Sequence, residues 1–322
     1  MTLISLIIPV YKVEKHIEKC IRSVLAQSYR QFEVVLVDDC TPDRSVTLAE
    51  ALLASQTEIP YRIIRMQQNS GISAVRNIGL AEAMGDFILF IDSDDWMEPT
   101  MLARLAETAV NDGADMVFCR ARNVYELSER RETLPSLPAG RWERDQVLLA
   151  LFKGIVPTHL CKLLISKHLY QGVQFPVGVI YEDVLTLPYI VDKARTIYFI
   201  DDILYNYMQR EGSITKSYNP ELARIITTFE SMSAFFTSKL TTSKLRLAYQ
   251  RYIYLTYHVI ACHAVYFSVN YEQAEMTLRA CAKSAHYRAI LRLLICQPSR
   301  TIADLLLLKT FPRQFYRSHK PR

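Results

Sequence analysis

FILFIDSDDW, residues 87–96, is the stretch on which the reading of this chain turns. Its first half is a run of apolar, β-forming residues suited to a strand buried on both faces. Its second half sets Asp92, Asp94 and Asp95 within four positions. Adjacent carboxylates repel, and burying an unpaired one costs several kcal/mol, so a packed domain leaves such a cluster in solvent or places a cation beside it. A solvated acidic turn that caps the next helix is the plainer account, since Asp favours both turns and N-caps.

Outward from this stretch, strands and helices alternate through the first 115 residues. LISLIIPV reads as a strand, and EKHIEKCIRSVLAQS as a helix with Ile17, Cys20, Ile21, Val24 and Leu25 on one face. FEVVLVDD, YRIIRM and DFILFID are further strands, separated by the helices SVTLAEALLAS and SGISAVRNIGLAEAM, the second stopped by Gly85. Met101, Leu102, Leu105, Ala106, Ala109 and Val110 mark a fourth helix that ends at Gly113, before the strand DMVFCRA. The pattern predicts an α/β fold, a Rossmann-like and mainly parallel sheet flanked by helices. Ligands of such sheets bind outside the carboxyl ends of the strands. Asp38 and Asp39 end the second strand there, and Asp92, Asp94 and Asp95 the fourth. Two carboxylate sets at one edge favour a functional acidic rim over chance capping.

Residues 120–143 lapse into a polar connection with prolines, either a long excursion or a hairpin. RDQVLLALFKG, THLCKLLISKHLY and EDVLTLPYIVDKA follow, then the β-like TIYFI and ILYNYM, and after residue 218 a helical region to the end. The expected division is therefore 1–115, 116–218 and 219–322. Half of the 322 residues are apolar, which suits a globular protein with a sizeable core. Residues 1–115 hold 10 Lys/Arg against 17 Asp/Glu, and the remainder 28 against 16. The basic excess lies mostly after residue 272, among Leu, Ile, Phe and Tyr, in the manner of amphipathic helices that rest on an anionic membrane face, or of a solvated basic tail. No nucleic-acid motif accompanies it.

Seven cysteines without a CxxC fit reduced, packed thiols in a cytosolic protein, and the first residues lack the features of an export signal. Residues 252–271 carry no formal charge over a membrane-spanning length, yet their His, Asn, Ser and Thr point to a helix buried in a bundle. Within it, His258, Cys262 and His263 could suggest a metal site. Ordinary packing on neighbouring turns accounts for them as well and is the expectation, because no further ligands follow with finger-like spacing.

Carboxylates of an Asp-x-Asp turn are hard ligands for Mg²⁺ or Mn²⁺ and leave positions open for substrate phosphates. A nucleotide diphosphate is the natural guest, held without the P-loop or dinucleotide fingerprint, both of which are absent. Four ordered segments, LISLIIPVYKVEKHIEKCIRSVLAQSYRQFEVVLVDDCTPDRS, NSGISAVRNIGLAEAMGDFILFIDSDDW, YEDVLTLPY and YNYMQREGSIT, resemble a family 2 glycosyltransferase of the GT-A fold over about residues 3–218. The resemblance implies that Pro9, Tyr11 and Asp39 border the base and ribose, with Asp38 in support. It implies that Asn69 and Arg76 line the nucleotide pocket and that Asp92 and Ser93 approach the ribose and phosphate. Asp94 would be the ligand of Mn²⁺ or Mg²⁺, flanked by Asp95, and Asp183, beside Glu182, the catalytic base. Arg210 and Ser213 resemble a loop that closes over the donor diphosphate. Plainer readings stand beside three of these: Arg76 as a surface helix residue, Asp183 as a charge at a helix N-terminus, and Arg210 as a loop cation.

The implied reaction is inverting transfer of a sugar from a UDP-sugar or similar donor to a glycan or lipid-linked acceptor in surface polysaccharide synthesis, at the inner face of a bacterial membrane. This sequence departs from the family pattern at Lys12, where Asn is frequent, at Cys40, where Gly is usual, and at Cys161 and Leu164. Cys40 leads to the expectation of a backbone there that does not need Gly. Two rivals remain. A Mg²⁺-dependent phosphotransfer domain would carry its key Asp after the first strand, where IIPVYK has none. A non-catalytic scaffold or nucleotide-sugar-binding protein would not need Asp92, Asp94 and Asp183 together.

Overall fold

The computed structural model describes residues 2–56, 58–210 and 217–321, without the side chains of residues 220, 221 and 232–234. It divides into two compact units, one of Met1–Leu148, Ile155–Gly178 and Glu182–Arg210, the other of Leu149–Gly154, Val179–Tyr181 and Glu211–Arg322.

The first unit opens with β1 (Ile4–Val10), α1 (Ile17–Leu25), β2 (Phe32–Asp38), α2 (Ser45–Ala54), β3 (Tyr61–Arg65), α3 (Ile72–Glu82) and β4 (Phe87–Phe90). Their strands run parallel in the order β3-β2-β1-β4. Every residue of β1 and β2 is buried, the condition that a continuous apolar run meets and an alternating one does not. Helix α1 buries Ile17, Cys20, Ile21 and Val24 on this sheet, in one core with Leu6, Ile8, Val34, Leu36 and Leu89. Helix α3 approaches β1 so closely that a Cβ at Gly79 would fall inside the van der Waals shell of Ile7 Cγ2, and glycine is what lets α3 lie there.

Beyond β4 come β5 (Trp96–Met97), α4 (Met101–Asn111), β6 (Met116–Tyr125), β7 (Arg131–Thr133), β8 (Gly140–Trp142), α5 (Arg144–Phe152), β9 (Leu163–Ser166), α6 (Glu182–Lys193) and β10 (Ile197–Gln209). They extend the sheet in the order β4-β9-β6-β10-β5, with β7 on β6 and β8 on β10. Strand β10 is parallel to β6, whereas β9, β5, β7 and β8 pair antiparallel, so this half is mixed. The polar connection is a hairpin, because β6 runs on to Tyr125 and β7 returns along it. TIYFI and ILYNYM are one strand, β10, interrupted by register shifts between Phe199 and Tyr205. The irregularity carries Asp201 and Asp202 out of the ladder to meet Arg120 at 2.9 Å and Arg104 at 3.3 Å, which explains why one strand reads as two.

The second unit is helical among its described residues: α7 (Arg224–Lys239), α8 (Ser243–Phe267), α9 (Tyr271–Ser284), α10 (Tyr287–Cys296), α11 (Arg300–Thr310) and α12 (Pro312–His319). Phe152, Phe236, Tyr249 and Tyr252 pack with ring centroids 5.1–6.3 Å apart, in tilted and edge-on arrangements that favour aromatic rings. Thr242, Asn270 and Ser299 cap α8, α9 and α11 with side-chain oxygens. The uncharged run lies mainly in α8, whose Ile260, Ala261, Ala264 and Val265 are buried. No helix among the described residues is long and apolar enough to cross a membrane.

Candidate active site at the acidic rim of the sheet

The carboxyl end of β2 is fastened by its own acids. Asp38 Oδ1 accepts from the Thr41 amide at 2.8 Å. Asp39 accepts from the Ser70 amide at 2.7 Å, the Gly71 amide at 2.9 Å and Asn69 Nδ2 at 2.8 Å. This carboxylate therefore ties the loop after β3 to the end of β2 and starts α3 at a fixed place. Burial lifts the Asp39 carboxyl above its usual range, and the Ser70 and Gly71 amides hold it back. Pro9 lies buried in β1 opposite Val37, and Tyr11 is half-buried just past the strand end.

Lys12 and Cys40 adopt φ values of 52° and 56°, in the left-handed region. The expectation for Cys40 is thus corrected: its backbone is the conformation that favours Gly, and cysteine occupies it with strain. The positive φ at Lys12 likewise accounts for Asn at that place in the family pattern, since Asn tolerates the left-handed region better than most residues. The Lys12 amide is held there by Thr41 Oγ1 at 2.8 Å.

At the end of β4 the three aspartates diverge. Asp92 and Glu182 share Arg76, whose Nη2 lies 3.3 Å from Asp92 Oδ1 and whose Nη1 donates to Glu182 Oε1. Arg76 is only 5% exposed, with Phe90 and Phe175 rings 5.4 and 5.7 Å from its guanidinium carbon, so it is no surface helix residue. Burial alone would weaken its hold on the proton, but Glu182, Asp92 and Asp183 outweigh that and keep it charged. Asp95, 1% exposed, accepts from Tyr205 Oη at 2.7 Å and the Met208 amide at 2.7 Å; burial first, then Asp94 and Asp92, drive its carboxyl well upward. Asp94 faces Arg210 Nε at 2.6 Å, with its side chain 21% exposed. The cations that the cluster requires are two arginines, one from α3 and one just past β10. Ser93 is buried between them in sequence, and Ser213 lies outside the described residues.

Asp183 stands in the first turn of α6 next to Glu182. Its Oδ2 lies 3.2 Å from Thr158 Oγ1 and its Oδ1 2.8 Å from the Val184 amide. Burial raises this carboxyl; Arg76 pulls it down and Asp92 adds to the rise, so the group shares one electrostatic field with the rim. A carboxylate held above its usual range is a better proton acceptor near neutral pH. Tyr205, Thr158, and the stack of His159 on Tyr207 at 5.0 Å escaped the sequence reading. The one available signal was YNY, which puts Tyr205 and Tyr207 on one face of a strand already matched to the family.

A divalent ion is the group that the resemblance implies, and Asp94 fits it as a partly exposed carboxylate already paired to a cation, in the electrostatic field of Asp92. Asp95 does not fit, because both its oxygens serve Tyr205 and Met208. Cys161 brings a sulfur within 4.8 Å of Asp92 and Asp95 oxygens, but a buried thiol is a soft donor ill matched to Mg²⁺.

The family model described as glycosyl transferase family 2 matches residues 5–165. A glycosyltransferase of Streptococcus pneumoniae, GlyG, is 28% identical over 232 residues, covering 67% of this chain and 73% of GlyG. Residues 1–349 of Staphylococcus aureus TarS, solved with UDP-GlcNAc, superpose with a TM-score of 0.72 at 18% identity, over 99% of this chain and 90% of that one. Against the longer TarS chain the coverage is 55% of its length. The mannosyltransferase PcManGT of Pyrobaculum calidifontis, solved with GDP-Man and Mn²⁺, gives 0.57 at 15% identity, over 96% and 87% of the two chains. At these identities the solved structures establish the GT-A fold.

Proposed function

This chain belongs to glycosyl transferase family 2, and we propose that it transfers a sugar, with inversion, from a UDP-sugar to a hydroxyl of a glycan or lipid-linked saccharide. The observation that carries this reading is the convergence of Asp94, Arg210, Arg76 and Asp183 at the carboxyl ends of one sheet. Residues 1–115 form the donor half, 116–218 the acceptor half, and 219–322 a helical appendage. TarS, of the same fold, is solved with UDP-GlcNAc, and PcManGT with GDP-Man and Mn²⁺, which supports a nucleotide-sugar donor and a divalent ion here.

Each rim residue then has a task. Asp94, aided by Asp92, would hold Mn²⁺ or Mg²⁺, which when bound would neutralise charge on the departing diphosphate. Arg210 exchanges its bond to Asp94 for the same phosphates. Arg76 fixes Asp92 and Glu182, and Asp39 with Asn69 holds the loop that frames the nucleotide beside Pro9, Tyr11 and Ser93. Asp183 takes the proton from the acceptor hydroxyl as its oxygen bonds to the anomeric carbon. The bond from that carbon to the diphosphate oxygen breaks with its electron pair going to the leaving nucleotide. A single base opposite the leaving group gives inversion. Helix α10 presents Leu291 and Ile295 beside Arg288 and Arg292 to solvent, the surface we assign to an anionic membrane face on the cytoplasmic side.

The test is a panel of nucleotide sugars scored for hydrolysis, for transfer to lipid-linked saccharides and for a rise in melting temperature. One donor should register in all three, and Asp183→Asn should slow transfer by about 10²–10⁴ while leaving the melting shift. A panel on which no donor registers contradicts the enzyme reading.

A further inference from the structure

His258, Cys262 and His263 are neighbours in sequence, but the second unit separates them. His263 Nε2 lies 2.9 Å from the Ser217 carbonyl and its Nδ1 3.2 Å from Tyr181 Oη. His258 and Cys262, one turn apart on α8, instead face the end of the chain, where His319 closes α12. One ligand atom from each of His258, Cys262 and His319 lies within 4.8 Å of the others. Cys262 Sγ is 3.7 Å from each ring nitrogen of His258. Asp304, on α11, places Oδ2 3.7 Å from His258 Nε2 and 3.5 Å from His319 Nε2.

The two histidine–Asp304 separations exceed the roughly 2.7–3.2 Å of an N–H···O hydrogen bond, whereas the Cys262–His258 distance is that of a weak sulfur hydrogen bond. The separations of Asp304 Oδ2 from the two Nε2 atoms and of Cys262 Sγ from His258 fall at the edge lengths of a tetrahedron, about 3.3–3.8 Å, for ligands held at about 2.0–2.3 Å from Zn²⁺. The rings are also pre-set. His319 Nδ1 is 2.9 Å from the Phe315 carbonyl, which only accepts, so in the neutral ring Nδ1 carries the hydrogen and the Nε2 lone pair faces Asp304. Phe315, fully buried, stacks on His319 with centroids 4.1 Å apart and meets His258 edge-on at 5.9 Å. Lys320 ties the end of α12 to the end of α8 through the carbonyls of Val265, at 3.0 Å, and Ser268. Helices α8 and α12 thus bring three electron-pair donors to one place, and α11 sets Asp304 beside the two imidazoles.

We propose that His258, Cys262 and His319 bind a zinc-type transition-metal ion, with Asp304 beside the two histidines to complete or orient the set, and that the ion clamps α8 to α12. Imidazole and thiolate select such an ion over the hard cations suited to Asp94, so this site is chemically distinct from the rim. Uptake replaces the Cys262 thiol proton, which passes to solvent, with a sulfur–metal bond. The ion is structural: it fixes α12 to α8 and needs no substrate.

Cobalt titration of chelator-treated, full-length protein tests this directly. One equivalent of Co²⁺ should produce a thiolate-to-metal charge-transfer band and the intense visible bands of a tetrahedral ion, both erased by Zn²⁺. Cys262→Ser should remove the charge-transfer band, His319→Gln should weaken zinc binding by about 100-fold or more, and Cys296→Ser should change neither. Zinc should raise the melting temperature of the wild type and of Asp94→Asn by several degrees, but not that of Cys262→Ser. Absence of the band in the wild type, or its persistence in Cys262→Ser, overturns the proposal and leaves a histidine–aspartate ion-pair cluster. Should Cys262→Ser not fold, the wild-type spectrum and His319→Gln still decide.

Discussion

Arg76→Met removes the guanidinium between Asp92 and Glu182 while keeping an apolar stem against Phe90 and Phe175. Arg76 is 5% exposed, and the Glu182 and Asp92 side chains 9% and 27%, so two carboxylates lose their counter-charge where water reaches only in part. Breaking a buried ion pair by removing one partner costs about 3–5 kcal/mol, most of it here through Glu182. In the wild type both carboxyls already lie above their usual range: burial is the largest cause for each and exceeds the downward pull of Arg76. Without Arg76 they rise further. A carboxyl whose folded pKa exceeds its unfolded one binds more protons when folded. Its burden on stability is therefore present at neutral pH and relieved as the pH falls through the folded value. Urea unfolding of wild type, Arg76→Met and Arg76→Met/Glu182→Gln at about pH 7.5 and about pH 5.5 reads this out. The deficit of Arg76→Met should be about 3–5 kcal/mol at the higher pH, smaller at the lower, and reduced by the second substitution. A deficit under about 1 kcal/mol at neutral pH, or one that neither acid nor Glu182→Gln reduces, refutes the role given to Arg76.

Three further outcomes follow from the site. Cys40→Gly relieves left-handed strain of roughly 1–2 kcal/mol against roughly 0.5–1 kcal/mol of added chain entropy, so the urea midpoint should rise by the equivalent of about 0.5–1 kcal/mol. Tyr205→Phe strips a buried Asp95 oxygen of its donor and should cost about 1–3 kcal/mol in the same assay, with no loss if that oxygen is in fact solvated. Asp183→Asn should lower kcat by about 10²–10⁴ with donor affinity kept. In the wild type, activity should be present above the folded pKa of Asp183 and lost as the pH falls through it. The acidic limb of kcat/KM should lie above the ordinary carboxylate range, and a limb within that range counts against Asp183 as the base.

The half of the sheet built from β1 to β4 was legible because strands buried on both faces are written as unbroken apolar runs. The hairpin of β6 and β7 was legible only as one of two alternatives: β7 is mostly exposed, so neither of its faces had to be apolar. Strand β10 read as two because Asp201 and Asp202 interrupt its pattern at the irregularity that expels them. At the site, acids at strand ends announced themselves by position. The pairing of Arg76 with Glu182 spans 106 residues and follows no period, and the left-handed turn at Cys40 is hidden by a residue that does not favour it. His258 and Cys262 were visible as a helical pair, but their partners lie on helices whose packing no spacing rule encodes.

In the proposed function the acidic rim grips a nucleotide diphosphate through a divalent ion on Asp94. Calorimetric titration of UDP into the wild type and Asp94→Ala, with and without Mn²⁺, measures it most directly. Binding should require Mn²⁺ and fall by about 100-fold or more in Asp94→Ala, with unfolding midpoints of the two proteins alike. Equal affinity with and without the ion, or undiminished Mn²⁺-dependent binding in Asp94→Ala, would contradict it.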